Sequence, residues 1–309
     1  MIFLYLLVFI CQYIYINYFL NISNPKIVKS VYNYTLKDID KEQSANIYRT
    51  NRGSKKIIMF FSGAFSLENH FYVNKLMYDL DLEHENLMEN YEFICYEKTN
   101  KTSFDIYDDV YNYISHLDKE IDKIEELILI GFSSGGVVAS HVMSRCKEMT
   151  CKKKIITYDT PWQVHENVNN FKNNLIYRLD ILFFGKVHDV YSNHYNYNEI
   201  KQHLTNKKWN SGTVEMAKLI QDIHNMSFEK FYEMTGFNFD LSPDTKVYNI
   251  YSKKDPVVFR EISNEFIKKN NDKIKFINKN IEKDTIGHCS DMAFSTYYLK
   301  DIINSIYSN

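Results

Sequence analysis

Ser133 stands in a pattern that suits a reactive hydroxyl group. Residues 131–135 read GFSSG, and they follow a short apolar run from Leu127 to Gly131. The run predicts a buried strand, and the helical character of Val137 to Cys146 predicts a helix behind it. A serine on a sharp strand-to-helix turn, with small residues two positions before and after it, can act as a nucleophile. The alternative interpretation is a flexible, glycine-containing turn with no catalytic role.

A serine hydroxyl becomes a good nucleophile only when a base takes its proton and an acid orients that base. Asp255 directly follows a predicted strand, and His288 follows the last predicted strand. The chain order is therefore Ser, Asp, His. Asp159, behind the strand after the Ser133 helix, is an alternative acid. Each residue could also have no catalytic role. Aspartate is common in turns before proline, and most histidines are solvent-exposed or core residues.

The composition excludes several other kinds of site. Net charge is −2 among 309 residues, so nothing indicates a nucleic-acid partner. The five cysteines have no metal-ligand spacing, and we expect neither metal nor cofactor. Cys146 and Cys151 could pair in an oxidising compartment, but two free thiols are the preferred interpretation. Cys289 beside His288 is not interpreted as a catalytic pair, because adjacent loop residues rarely point at each other.

Strands and helices alternate over most of the chain, which predicts an α/β fold with a mostly parallel central sheet and helices on both faces. The predicted strands are 31–36, 46–50, 57–61, 92–96, 127–131, 153–158, 246–251 and 273–278. The predicted helices are 65–80, 105–123, 137–146, 260–270 and 291–306.

The alternation stops between Trp162 and Asp244. This stretch is too long for a plain loop and predicts a helical insertion, with helices at 177–184, 213–226 and 228–234. Its aromatic side chains could line a pocket for an acyl chain or form a core of the insertion itself. They are Trp162, Phe171, Tyr177, Phe183, Phe184, Tyr191, Tyr195 and Tyr197.

The first twenty residues carry no charged side chain. That length can span a bilayer as a helix, so 1–22 is interpreted as a membrane anchor ahead of a domain at 30–309. A cleaved signal peptide, with secretion, is the main alternative, and a buried first helix is another. Lys26 and Lys29 favour a cytoplasmic domain, whereas sequons at Asn21, Asn33, Asn100 and Asn225 favour the lumen.

The motifs FSGAF, GFSSGG, SKKDPVV and GHCSD, taken together, resemble those of the α/β-hydrolase superfamily from about Lys55 onward. The resemblance implies a Ser133–His288–Asp255 triad and a lid at 162–244. It also implies an oxyanion hole made by the backbone N–H of Ser134 and of Ala64 or Phe65. Where lipase-like relatives read His-Gly, this chain reads Ser62-Gly63, which argues against the His-Gly-Gly-Gly esterases.

The expected activity is that of a serine hydrolase that cleaves carboxylic esters. The expected substrate is a small-molecule or lipid ester. The insertion and the N-terminal segment favour a lipid ester at a membrane. The same triad serves acyltransferases, thioesterases and peptidases, so these stay as alternatives within the fold. A non-catalytic binding protein is the alternative outside enzymes.

Overall fold

An eight-stranded sheet forms the centre of the protein, in the order β1-β2-β4-β3-β5-β6-β7-β8. The computed structural model describes residues 28–36, 41–50, 52–61, 76, 79–80, 84–98, 106–163, 227–255, 258, 266, 277–286, 288–289 and 298–308. The strands are β1 (Val28–Leu36), β2 (Lys41–Arg49), β3 (Lys56–Phe61), β4 (Glu92–Lys98), β5 (Glu126–Phe132), β6 (Lys152–Tyr158), β7 (Lys246–Lys254) and β8 (Ile277–Ile286). β1 pairs with β2 and β2 with β4 in antiparallel fashion. The remaining neighbours are parallel, so the prediction of a mostly parallel sheet is confirmed.

Helices cover both faces of the sheet, as the alternation predicts. The described helices are α1 (Glu85–Asn90), α2 (Ile106–Glu120), α3 (Gly135–Arg145), α4 (Phe228–Met234) and α5 (Tyr298–Tyr307). α2 and α3 share one apolar layer with Leu127 and Leu129 of β5. α1 and α5 share the other layer with Ile128 and Ile130. Because β5 is covered on both sides, its sequence is a continuous apolar run rather than an alternating one.

The two ends of the predicted insertion meet beside the first apolar layer. Gln163 and Gly236 form an isolated antiparallel bridge, and Phe237 N donates to Trp162 O over 2.8 Å. The rings of Trp162 and Phe237 lie 4.3 Å apart between centroids, and Trp162 is 1% exposed. Trp162 is therefore part of the main core. Phe228–Met234 is helical as predicted, while 164–226 lie outside the described residues.

The last strand differs from its prediction. β8 continues to Ile286, well beyond the expected end at Asn278, and most of its side chains are polar. It lies at the edge of the sheet and is held by parallel pairing to β7, with register shifts after Val247 and Ser252. An edge strand packs against a neighbour on one side only, so main-chain pairing can define it without an apolar run.

Among the helices that the structure describes, none is long and apolar enough to cross a membrane. Residues 1–27, which include the proposed anchor, lie outside the described residues.

His141 connects α3 to the returning end of the insertion. Its Nε2 donates to Gly236 O over 2.9 Å, and its ring stacks on Tyr107 with centroids 4.4 Å apart. The side chain of Asn238 lies 3.4 Å from the other ring nitrogen. Burial lowers the pKa of His141 to about 4, and the nearby Arg145 charge acts in the same direction. His141 is thus a neutral core histidine at physiological pH.

Acidification should therefore weaken the fold through His141. Between about pH 6.5 and pH 4 the unfolded chain binds a proton at this histidine and the folded chain does not, so stability falls as pH falls. The full effect amounts to about 3 kcal/mol. The amide of His141→Gln can still donate to Gly236 O but does not titrate. We expect this variant to lose the His141 contribution to the pH dependence of the free energy of unfolding. Urea unfolding at pH 7, 5.5 and 4 measures it.

The matched control is His116→Gln, on the exposed side of α2. It reports the effect of replacing an exposed histidine by glutamine. Other titrating groups are common to all three proteins and cancel in the comparison. Parallel stability curves for the wild type and His141→Gln would contradict the assignment.

Candidate active site

Ser133 occupies the turn between β5 and α3. Its φ of 51° places a non-glycine residue in the left-handed region, at a cost of about 1–3 kcal/mol. Ser133 N donates to Tyr158 O over 2.8 Å, and Ser133 O accepts from Gly136 N over 3.1 Å. The turn is therefore held by β6 on one side and by the first turn of α3 on the other, which fixes the serine at the carboxyl edge of the sheet.

The glycines around Ser133 permit a very close crossing of strand and helix. A Cβ on Gly131 would lie 2.3 Å from the Cα of Gly136. A Cβ on Gly136 would lie 2.2 Å from Oγ1 of Thr160. Gly136 lies one residue beyond the G-x-S-x-G pattern, so the steric requirement for glycine extends past the motif. Thr160, two residues past the end of β6, has no signature of its own in the sequence.

Asp255 and His288 come together at the same edge of the sheet. Asp255 directly follows β7, and His288 lies two residues beyond Ile286, where β8 ends. Nδ1 of His288 hydrogen-bonds to Oδ2 of Asp255 over 2.7 Å, while Asp255 Oδ1 accepts from Val258 N over 2.9 Å. The side chain of Asp255 is 3% exposed and that of His288 is 19% exposed. The carboxylate is thus buried, with the imidazole open to one side.

The charge of Asp255 controls the ionisation of His288. Burial by itself lowers the pKa of His288, but the hydrogen bond and charge of Asp255, together with the charge of Asp159, outweigh burial. The net result is a pKa above the ordinary value of 6.5. A histidine in this setting is a stronger base than a free one, and its protonated form is stabilised.

The carbonyl of Tyr158 joins the serine turn to the histidine loop. Besides the N–H of Ser133, it has the thiol of Cys289 at 3.9 Å. Since Cys289 follows His288 directly, the loop with the histidine lies against the end of β6, beside the serine turn. The structure therefore gathers Ser133, Asp255 and His288 at one edge, although they come from three distant segments of the chain.

Asp159, the alternative acid, has different partners. Its carboxylate accepts from Ser252 N over 2.6 Å, from Ser252 Oγ over 3.0 Å and from Cys289 N over 2.8 Å. It is 1% exposed, and burial, followed by the charge of Asp255, raises its pKa to about 6. The hydrogen bond to Nδ1 of His288 comes from Asp255, so Asp255 has the geometry of the orienting acid.

Three of the five non-glycine residues with positive φ in the described part of the chain lie at this edge. Ser133, Asp159 and Cys289 have φ values of 51°, 46° and 48°, which L-residues rarely adopt. Such strain persists only where surrounding contacts hold it, and it clusters at functional sites. No pattern in the sequence marks Cys289 for this conformation, so its part in holding the loop was missed.

Three potential metal ligands also meet here. Donor atoms of Asp159, His288 and Cys289 lie within 4.8 Å of one another, and oxygen, nitrogen and sulfur all suit zinc. The Asp159 carboxylate already accepts three hydrogen bonds, and Nδ1 of His288 is bound to Asp255. These contacts give the cluster a structural explanation, and we assign no metal to it.

The expected oxyanion donors are only partly described. Ser134 immediately precedes α3, and its φ of −59° and ψ of −16° are helical. The N-terminus of a helix favours negative charge, since its first N–H groups lack partners within the helix. Ala64 and Phe65 lie outside the described residues.

Comparison with known proteins identifies the fold. No protein-family profile and no curated protein sequence matches the chain. Carboxyl esterase 2 from the mycorrhizal fungus Tuber melanosporum is similar in structure, with a TM-score of 0.56 and 12% identity over 93% of this chain and 87% of that one. The esterase Pf2001 from Pyrococcus furiosus gives 0.52 and 15% over 90% of each chain. Est1E from Butyrivibrio proteoclasticus gives 0.51 and 12% over 90% of this chain and 99% of that one.

These similarities extend over nearly the whole chain at very low identity. They show that the protein has the α/β-hydrolase fold, as the motifs GFSSGG and GHCSD had indicated. A fold of this kind hosts many activities, so the function has to be argued from the residues at the carboxyl edge of the sheet.

Proposed function

We propose that the protein is a serine hydrolase that cleaves carboxylic esters. The observation that carries the proposal is the 2.7 Å hydrogen bond between Nδ1 of His288 and Oδ2 of Asp255, beside the strained turn that presents Ser133. The esterases among proteins of similar structure support the same reaction class.

In the proposed mechanism, Oγ of Ser133 attacks the ester carbonyl while Nε2 of His288 takes its proton. Asp255 holds the proton on Nδ1, so that Nε2 is free to accept, and it stabilises the imidazolium. The backbone N–H of Ser134, with that of Ala64 or Phe65, would bind the developing oxyanion. His288 then protonates the leaving alcohol, which leaves an acyl group on Ser133. Water, deprotonated by His288, releases the acid and restores the hydroxyl.

An active-site probe tests this proposal. A fluorophosphonate reacts with an activated serine, so we expect the wild-type protein to be labelled and Ser133→Ala to remain unlabelled. Ser144→Ala, a change on the same helix away from the turn, should label like the wild type. An unlabelled wild type, or labelling that survives Ser133→Ala, would refute the proposal.

We further propose that residues 162–244 form a lid that helps to bind the acyl group, which would be that of a lipid or another apolar ester. The support is the aromatic content of this stretch and the position of its two ends next to β6 and β7. Rates with p-nitrophenyl esters of graded chain length should rise with acyl length. A preference for acetate would count against a lipid substrate.

For residues 1–22 we propose a membrane anchor, based on the absence of charge in the first twenty residues. The full chain should stay with the membrane during alkaline carbonate extraction, and a chain starting at residue 23 should not. Mass spectrometry of the expressed protein separates this from secretion, because a cleaved signal peptide would leave a shorter chain.

A further inference from the structure

The buried carboxylate of Asp159 lies where the three segments of the proposed site meet. The preceding carbonyl, Tyr158 O, accepts from Ser133 N, and Asp159 N donates to Ile250 O of β7 over 2.9 Å. The side chain then accepts both hydrogen bonds from Ser252 and one from Cys289 N. Each segment that supplies a proposed catalytic residue is therefore tied to the residues at the end of β6.

The two segments held by the Asp159 carboxylate, the end of β7 and the loop after β8, are those that lead to the proposed acid and base. Ser252 lies three residues before Asp255, whose N–H donates back to Ser252 O over 3.3 Å. Cys289 is the neighbour of His288. One carboxylate with two oxygens thus sets the separation between the Asp255 segment and the His288 segment. Asp159 has a left-handed φ of 46°, so the surrounding contacts hold the residue in this position against backbone strain.

We propose that Asp159 is a positioning residue for the proposed ester hydrolysis, whose carboxylate holds the His288 loop against the end of β7 and adds a second negative charge beside the imidazole. The catalytic part of this inference rests on the proposed function. Its structural part, the charge and the hydrogen bonds around His288, can be measured without a substrate.

Three titratable groups face His288 in the described structure. Asp255 comes from the segment after β7, Asp159 from the end of β6 and Cys289 from the loop of the histidine itself. Both carboxylates raise the pKa of His288. The imidazolium formed during proton transfer is therefore stabilised by two negative charges, of which only Asp255 makes the hydrogen bond to the ring.

Asp159→Asn tests the proposal, because the amide keeps the size of the side chain but removes the charge and one acceptor. We expect kcat/KM for ester hydrolysis to fall about 10–100-fold, the loss typical of a misplaced catalytic group. The acidic limb of the kcat/KM profile should move to lower pH. The titration of the His288 ring, followed by NMR without substrate, should move in the same direction.

Glu92→Gln is a matched control at the opposite edge of the sheet. Glu92 begins β4, is 1% exposed, and accepts from Thr50 Oγ1 over 3.0 Å, from Arg52 N over 2.6 Å and from Gly53 N over 3.0 Å. It is thus another buried carboxylate with three donors. Loss of the Glu92 charge should reduce the stability of the fold. The titration of His288 and the acidic limb of the kcat/KM profile should stay at their wild-type positions.

The outcomes separate the alternatives. An unchanged His288 titration in Asp159→Asn would overturn the inference, and a loss as large as that of an Asp255 variant would make Asp159 the orienting acid instead. If Asp159→Asn does not fold, Ser252→Ala removes one donor and should lower kcat several-fold at constant KM, and unchanged kcat would overturn the proposal. A wild type with no esterase activity refutes the proposed function, while the NMR titration still decides the role of Asp159.

Discussion

Asp255→Asn is expected to lower kcat for ester hydrolysis by about 10⁴-fold with little change in KM, which corresponds to about 5.5 kcal/mol of transition-state stabilisation. The reason lies in the two oxygens of Asp255, both of which accept hydrogen bonds. Oδ1 accepts from Val258 N and Oδ2 from Nδ1 of His288. An asparagine has only one acceptor for these two donors.

The amide introduced by Asp255→Asn would satisfy Val258 with its oxygen and present its NH₂ group to His288. Nδ1 must then accept a hydrogen bond, which places the ring proton on Nε2. A histidine in that tautomer has no free lone pair for the proton of Ser133. The loss therefore falls on the chemical step rather than on substrate binding, and steady-state kinetics above pH 7 measures it directly.

Asp240→Asn provides the control for this variant. Asp240 forms an exposed ion pair with Lys147 at 2.8 Å, and its loss should leave kcat unchanged. If Asp255→Asn stayed within about tenfold of the wild type, Asp255 would not be the orienting acid. Thermal unfolding of each variant confirms that the comparison is made between folded proteins.

Gly131→Ala is expected to destabilise the protein by about 3–5 kcal/mol, a large part of the stability of a typical domain. The added Cβ would lie 2.3 Å from the backbone of Gly136 and 2.4 Å from that of Gly135. Backbone atoms have no rotamer with which to give way, so β5 and α3 would have to move apart. Urea denaturation of the two proteins gives the difference directly.

Gly53→Ala separates crowding from backbone conformation. Gly53 has a φ of +69°, but a Cβ added there would have nothing within 4 Å, so its substitution should cost only about 1–2 kcal/mol. Equal losses for the two variants would show that crowding at Gly131 is not the dominant effect. A fully stable Gly131→Ala protein would mean that strand and helix do not cross as closely as described.

Local patterns predicted those parts of the fold that are decided by burial. The strand ahead of Ser133 is covered on both faces, and its apolar run made it visible in the sequence. Asp255 and His288 could be placed behind strands because parallel strands end at one edge. β8 was misplaced, since main-chain pairing rather than apolar side chains defines it. Lys283 of β8 is buried, and its Nζ donates a hydrogen bond to the hydroxyl of Tyr158.

The part played by Asp159 could not be predicted, because its contacts are remote in the chain. Its partners lie 93 residues away at Ser252 and 130 residues away at Cys289. From the sequence it was one of two candidate acids behind parallel strands. Only the three-dimensional arrangement shows that its oxygens point at Ser252 and Cys289 while Asp255 reaches the imidazole.

The bridge between Gln163 and Gly236 has a consequence for how such a protein can diversify. The two ends of the insertion are fastened to each other, and His141 and Tyr107 hold the returning end at Gly236 and Met234. Chain added or removed between these ends changes the closure entropy only slowly with length. The length of the segment can therefore vary while the sheet and the position of Ser133 stay unchanged.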